Sequence, residues 1–226
     1  MNDMEPLELN NYDFEDISDV LVKVGNSFQL DLKTDIFKDA TTFGDICDII
    51  SRELSVEHSD DCTTQQAFYK LRQSIFSIQP TEKNTITRDS DLEELFPKKH
   101  RRRKMLQIEK HLGFRLKILE PKSWISTTLL FIFLASLIVL FINWKFGLAG
   151  IALSIIGSWI ASKLGKEFNI KNLGEVAEKI ARENYIKSRR NPKTVNRQEI
   201  SAQIKELFIH DLHLDHSILT KEAPLF

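Results

Sequence analysis

The sequence predicts an all-α protein, a two-helix transmembrane hairpin with helical bundle units on its cytoplasmic side. Three features of the 226 residues predict it. Trp124 to Asn143 runs for 20 positions without a charged residue, and Phe146 to Ser162 adds 17 more. Residues 97–123, immediately before the first apolar run, carry 10 Lys and Arg against 2 Asp and Glu. Elsewhere apolar residues recur at helical spacing, and no alternating strand pattern competes.

Four segments follow along the chain: helical residues 1–60, helical residues 64–123 with a basic collar, the hairpin at 124–162, and residues 163–226, which repeat the N-terminal pattern. The opening MNDMEPLELNNYDFED has neither the basic nor the apolar region of a secretory signal, so it is expected to stay in the cytosol. In the first segment Ile17, Leu21, Val24 and Phe28 fall on one helical face. Cys47 and Cys62 lack CxxC spacing, which argues against a zinc ribbon or disulfide framework and for a reduced compartment. Phe68, Leu71, Ile75 and Ile78 mark a second helix, and Met105, Ile108 and Leu112 a third.

At about 1.5 Å per residue the first apolar run spans about 30 Å, the thickness of a bilayer core. The second run is shorter and extends through Trp144 and Leu164 into the interfaces. Gly150, Ser154, Ser158 and Ser162 recur every fourth residue, a small stripe expected to meet Ala135 and Ser136 of the first crossing. A homodimer through the same stripe is the alternative pairing. The collar against a turn holding Lys145 alone places both termini in the cytoplasm, as a multi-pass integral membrane protein. Neither crossing contains Asp, Glu, His, Lys or Arg, which points to an anchor rather than a transporter.

After the hairpin, Ile200, Ile204 and Leu207 mark another helix. The polar parts also repeat. FGDICDIISRE at Phe43–Glu53 matches LGEVAEKIARE at Leu173–Glu183, and ITRDSDL at Ile86–Leu92 matches LTKEAPL at Leu219–Leu225.

These segments resemble pieces of the acyl carrier protein fold, a small helical bundle. Leu21 to Ile50 resembles the family's long second helix, its "EEEFxIxI" exit and its threonine-started last helix. Ile200 to Leu225, and again residues 67–96, resemble the first helix and the "LGxxxxxITPDxSF" loop behind it. The resemblance implies one carrier-like unit that begins near Thr64, is interrupted by the hairpin and resumes at Phe168–Tyr185. It implies a second unit whose first helix is C-terminal and whose remainder is residues 14–54.

A working carrier holds phosphopantetheine on the serine of an Asp-Ser-Leu at the head of its second helix. The matching positions here are Asp13, Phe14 and Glu15 in one unit, and Lys98, Lys99 and His100 in the other, so the serine is missing twice. Ser90, in Asp89-Ser90-Asp91-Leu92, imitates the motif about eight residues too early and is the attachment site only if the chain is an active carrier. No cofactor is expected otherwise. Carriers present an acidic second helix, whereas this one offers Lys98, Lys99, Arg101, Arg102, Arg103 and Lys104, an inverted preference.

That basic run suits the lipid bilayer's anionic headgroups or an acidic cytosolic protein, or serves as a topology signal alone. No aromatic residue interleaves it, so nucleic acid is not expected. HDLHLDH, with His210, His213 and His216, lacks the spacing of a metal helix and reads as a solvated loop, so no metal is expected. Gly44 and Gly174 are lone glycines, no GxSxG or GxxxxGK[ST] occurs, and Cys47 reads as a core residue. The expected function is a non-catalytic membrane-anchored adaptor or scaffold; an active membrane-bound carrier in lipid or polyketide assembly is the alternative.

Overall fold

The computed structural model describes residues 9–79 and 85–225. The expectation for the N-terminus falls partly on residues 1–8, and Met1 and Phe226 themselves lie outside the described residues. Among the described residues ten α-helices run in order: α1 (Phe14–Phe28), α2 (Phe43–Glu53), α3 (Thr63–Ile78), α4 (Leu92–Leu95), α5 (Arg101–Leu112), α6 (Ser123–Ile142), α7 (Trp144–Leu164), α8 (Leu173–Glu183), α9 (Tyr185–Ser188) and α10 (Arg197–Leu212). The molecule is thus mostly helical, as the periodicity predicts. Four two-residue strands add to it: β1 (Glu57–His58) pairs in parallel with β4 (Thr194–Val195), and β2 (Leu119–Glu120) pairs antiparallel with β3 (Glu167–Phe168). Two residues are too few to show alternation, so periodicity carried no sign of them.

The chain divides into two compact units, residues 1–70 with 177–226, and residues 71–176. In the first unit, α1 buries Ile17, Val20, Leu21, Val24 and Phe28 in one cluster with Ile46 and Ile50 of α2 and Ile204, Leu207 and Phe208 of α10. N-terminal and C-terminal segments therefore share one core. Each such side chain contributes about 1.5 to 3 kcal/mol by leaving water. Asp13 starts α1 by accepting from the Asp16 N–H at 3.0 Å, and Gln29 ends it in the left-handed conformation (φ 55°).

Helix α2 begins with a capping box. The Thr42 hydroxyl accepts from the Asp45 N–H (3.2 Å), while the Asp45 carboxylate accepts from the N–H groups of Thr41 (3.0 Å) and Thr42 (2.9 Å). These bonds, backbone ones first, hold the Asp45 carboxyl down at about 2. Backbone bonds then tie this helix start to the C-terminal loop. Phe43 donates to Ala223 O (2.9 Å), Gly44 to Lys221 O (2.8 Å), and Leu225 returns a bond to Thr41 O (3.0 Å).

One guanidinium secures the remaining loops of this unit. Arg189 is fully buried and donates to Ser59 O (3.3 Å), Asp61 O (3.1 Å), Thr63 Oγ1 (2.7 Å) and Thr194 Oγ1 (3.3 Å). Tyr185, whose hydroxyl accepts from the Asn196 N–H (3.0 Å), lies beside it, and burial pushes that phenol up.

The second unit buries Leu71, Ile75, Ile86, Leu92, Phe96, Met105, Ile108, Leu116 and Ile118. The start of α8 is tied to the loop before α4. Leu173 donates to Ser90 O (3.1 Å), Gly174 to Arg88 O (2.7 Å), and Leu92 returns a bond to Lys171 O (3.0 Å). The Asn172 side-chain oxygen accepts from the Glu175 N–H (2.9 Å), and the Glu175 carboxylate accepts from the Lys171 N–H (3.1 Å) and the Asn172 side-chain amide (2.8 Å).

Candidate functional site

Helices α6 and α7 are 20 and 21 residues, each long and apolar enough to cross a membrane. They are not core helices. Only Ser136 of α6 and Gly147 and Ser154 of α7 are buried. Phe131, Ile138 and Phe141 on α6, and Phe146, Leu153 and Trp159 on α7, point outward and are exposed. So large an apolar surface is unfavourable in water and suits hydrocarbon. Asn143 serves both helices, ending α6 and starting α7, where its side-chain oxygen accepts from the Lys145 N–H (3.2 Å).

The helix contact runs along small residues, on a different line from the one the sequence spacing predicts. A Cβ on Gly147 would stand 2.5 Å from Leu140 Cα, one on Gly150 would overlap Ser136 Oγ, and one on Gly157 would stand 2.8 Å from a Leu129 methyl. Ser154 is buried on the same side; of the two expected complements Ser136 is buried, whereas Ala135 is exposed. Ser158 and Ser162, by contrast, are exposed. An every-fourth-residue stripe rotates about 40° per step around a helix of 3.6 residues per turn, and after two steps it has left the contact. The hydroxyls do not stay unpaired: Ser136 Oγ donates to Ile132 O (2.6 Å) and Ser154 Oγ to Ile151 O (2.8 Å).

The β2–β3 pair closes the foot of the hairpin. A Cβ on Gly165 would lie 2.5 Å from the Glu120 carbonyl carbon, so only glycine lets the two backbones approach there. Beside this neck the basic run resolves into unlike parts. Helix α5 starts at Arg101, with no acidic residue in its first turn, against the preference of the helix dipole. Arg101 is 1% exposed, which corrects its place among the surface cations. Its guanidinium donates to Phe96 O (2.7 Å) and Lys166 O (2.6 Å), stands 3.5 Å from the Glu93 carboxylate, and lies 4.3 Å over the Phe168 ring. It needs those acceptors because an unpaired buried charge is costly.

Lys98 is exposed and pairs with Glu167 (2.9 Å), and this bond holds the Glu167 carboxyl below its usual range. Lys104 is half-buried and donates to the Gln79 side chain. Lys99 and Arg103 are exposed, and Arg102 is half-exposed. The sequence treated six cations as one patch; the structure leaves Lys99, Arg102 and Arg103 as its open part. What it missed was Arg101 as a fastening residue, for which no sequence signal exists because burial of a charge depends on distant carbonyls.

The positions matched to the carrier serine lie at helix starts. Phe14 is the exposed first residue of α1, and Lys98, Lys99 and His100 are exposed just before α5. Neither head carries a hydroxyl. Ser90 is half-buried in the turn before α4, where its Oγ accepts from the Thr87 N–H (2.9 Å). Cys47 is buried, and burial pushes its thiol up to about 11. His210, His213 and His216 are exposed, and among the described residues no group of three His, Cys, Asp or Glu could hold a metal ion.

No protein-family model, curated protein or solved structure matches the chain.

Proposed function

We propose that the protein is a non-catalytic membrane-anchored adaptor: a bilayer-crossing hairpin carrying two degenerate carrier-like helical units, with both termini on the cytoplasmic side. The observation that carries this reading is the pair of long apolar helices whose large side chains face outward, above a collar of 10 cations against 2 carboxylates. The proposed repeat is supported by its matched positions: Phe43 and Leu173, Gly44 and Gly174, and Leu225 and Leu92 make corresponding backbone bonds. A non-catalytic, cofactor-free role is supported by the residues at the two helix heads, Phe14 and Lys99, which offer no hydroxyl for phosphopantetheine. Lys99, Arg102 and Arg103 present an open cationic surface to an acidic cytosolic partner or to anionic headgroups.

Two measurements test the reading. With Cys47 and Cys62 replaced, a cysteine at Lys145 is labelled by a membrane-impermeant reagent in intact cells; labelling only after lysis reverses the topology. The intact mass of protein coexpressed with a promiscuous phosphopantetheinyl transferase equals the sequence mass. A gain of one phosphopantetheine, abolished by Ser90→Ala, moves the protein to the active-carrier class.

A further inference from the structure

A groove of about 600 Å³ opens at the foot of the hairpin, wholly within the second unit. Its wall changes character along its length. At one end stand Lys98, Lys122 and Lys166 with Glu167; at the other the lining is Ile125, Leu129, Ile160, Ala161 and Leu164. Gly157 and Gly165 also line it, and side chains there would narrow it. The lysines lie just outside the apolar helices, Lys122 one residue before α6 and Lys166 two residues after α7. At the same end Lys163 stands 3.6 Å over the Trp159 ring, the pairing of amphipathic groups that sits at a bilayer interface.

We propose that this groove holds one anionic phospholipid, its phosphate against Lys122 and Lys166 and one acyl chain along Ile125, Leu129, Ile160 and Leu164. The inference rests on the membrane reading above and deepens it by naming a bound lipid and its site. Charge complementarity selects the occupant. Glu167, paired with Lys98 at 2.9 Å and within electrostatic reach of Lys122 and Arg101, is the one carboxylate against Lys98, Lys122 and Lys166 in the lining, so this end of the groove keeps a positive balance to meet an anion. A zwitterionic lipid would bring its own cation to the same lysines. The apolar floor below them excludes a soluble phosphate as the whole ligand, because only an acyl chain covers that surface at hydrocarbon depth. The groove is also distinct from the open cations at and just before the start of α5, since Lys99, Arg102 and Arg103 do not line it.

The test uses the full chain reconstituted in nanodiscs of phosphatidylcholine and phosphatidylglycerol, with retained lipid read by native mass spectrometry. Wild type retains one phosphatidylglycerol in preference to phosphatidylcholine. Lys122→Gln with Lys166→Gln weakens that retention about 30-fold, roughly fivefold per lysine. Ala161→Phe fills the apolar floor, leaves every lysine in place and also loses the lipid, whereas Lys99→Gln with Arg103→Gln keeps it. Retention by the double lysine variant or by Ala161→Phe, equal loss in Lys99→Gln with Arg103→Gln, or no preference in wild type overturns the site. Failure of wild type to enter nanodiscs at all overturns the membrane reading instead.

Discussion

The starts of α2 and α8, one in each unit, are held by the same three backbone bonds and surrounded by different side chains. In the first unit the bonds reach Lys221, Ala223 and Leu225; in the second they reach Arg88, Ser90 and Leu92. Thr42 with Asp45 caps one helix and Asn172 with Glu175 the other. Backbone bonds are blind to side-chain identity, so this grid persists while the caps change chemistry. The units differ in what the grid encloses. In the second, the chain leaves at Leu92, passes through α6 and α7, and returns at Lys171, so these bonds also close the segment that contains the hairpin.

Each unit also fastens its loops with one buried arginine, and removing it is the largest test of the comparison. Arg189 is enclosed with neutral acceptors, the carbonyls of Ser59 and Asp61 and the hydroxyls of Thr63 and Thr194. Leaving such groups without a donor costs about 1 to 3 kcal/mol each, so Arg189→Ala costs about 4 kcal/mol after relaxation. Arg101 donates closely to two carbonyls, Phe96 O and Lys166 O, and Glu93 beside it is largely exposed and can turn to water, so Arg101→Ala costs less, about 2 to 3 kcal/mol. Hydrogen exchange on the full chain in detergent reads each loss locally, in residues 57–63 for Arg189→Ala and 165–169 for Arg101→Ala. Equal losses would break the distinction between fastening to four acceptors and fastening to two.

The next test separates the two glycines. A Cβ on Gly44 would meet Lys221 O at 2.8 Å, whereas one on Gly174 would stand farther off, 3.2 Å from Asn172 Oδ1 and 3.3 Å from Arg88 Cβ and Arg88 O. Gly44→Ala therefore costs about 2 to 3 kcal/mol and Gly174→Ala about 1 kcal/mol. The loss of protection at the start of α2 should exceed that at the start of α8; the reverse order would mean that the junctions relax differently from their geometry.

Much of this was legible in the sequence, for physical reasons. The two long apolar helices appear because charge is absent for 20 and 17 residues at a stretch, and Trp124–Asn143 differs from α6 by one residue at each end. The helices at 17–28 and 65–78 appear because one face must be apolar. The matched segments Phe43–Glu53 and Leu173–Glu183 fall on two helix starts that make corresponding backbone bonds, which supports the proposed repeat. Arg101 was not legible, since a charged residue in a basic run reads as solvated until Phe96 O and Lys166 O are brought to it. The line of helix contact was not legible either, because serine and glycine look alike as small residues while helix rotation separates Ser158 from Gly157.

The smallest effect sharpens the comparison at the caps. Thr42→Ala and Asn172→Ala each remove the acceptor of one helix-start N–H, and each costs about 1 kcal/mol. Asp45 adds a dependence on pH. Its carboxyl is held at about 2, below the ordinary value of 3.8, chiefly by the N–H groups of Thr41 and Thr42, which favour the ionised form. A carboxylate depressed on folding contributes stability that is fully present above its unfolded value and is lost as pH falls through the folded one. Asp45→Asn should therefore lower the melting temperature of the full chain in detergent at neutral pH. The gap from wild type should then close as pH falls from about 4 to about 2, the window between the two values. A gap that stays constant across that window would show that the side chain acts by shape and hydrogen bonding alone, and that the junction in the first unit carries no charge-dependent strength.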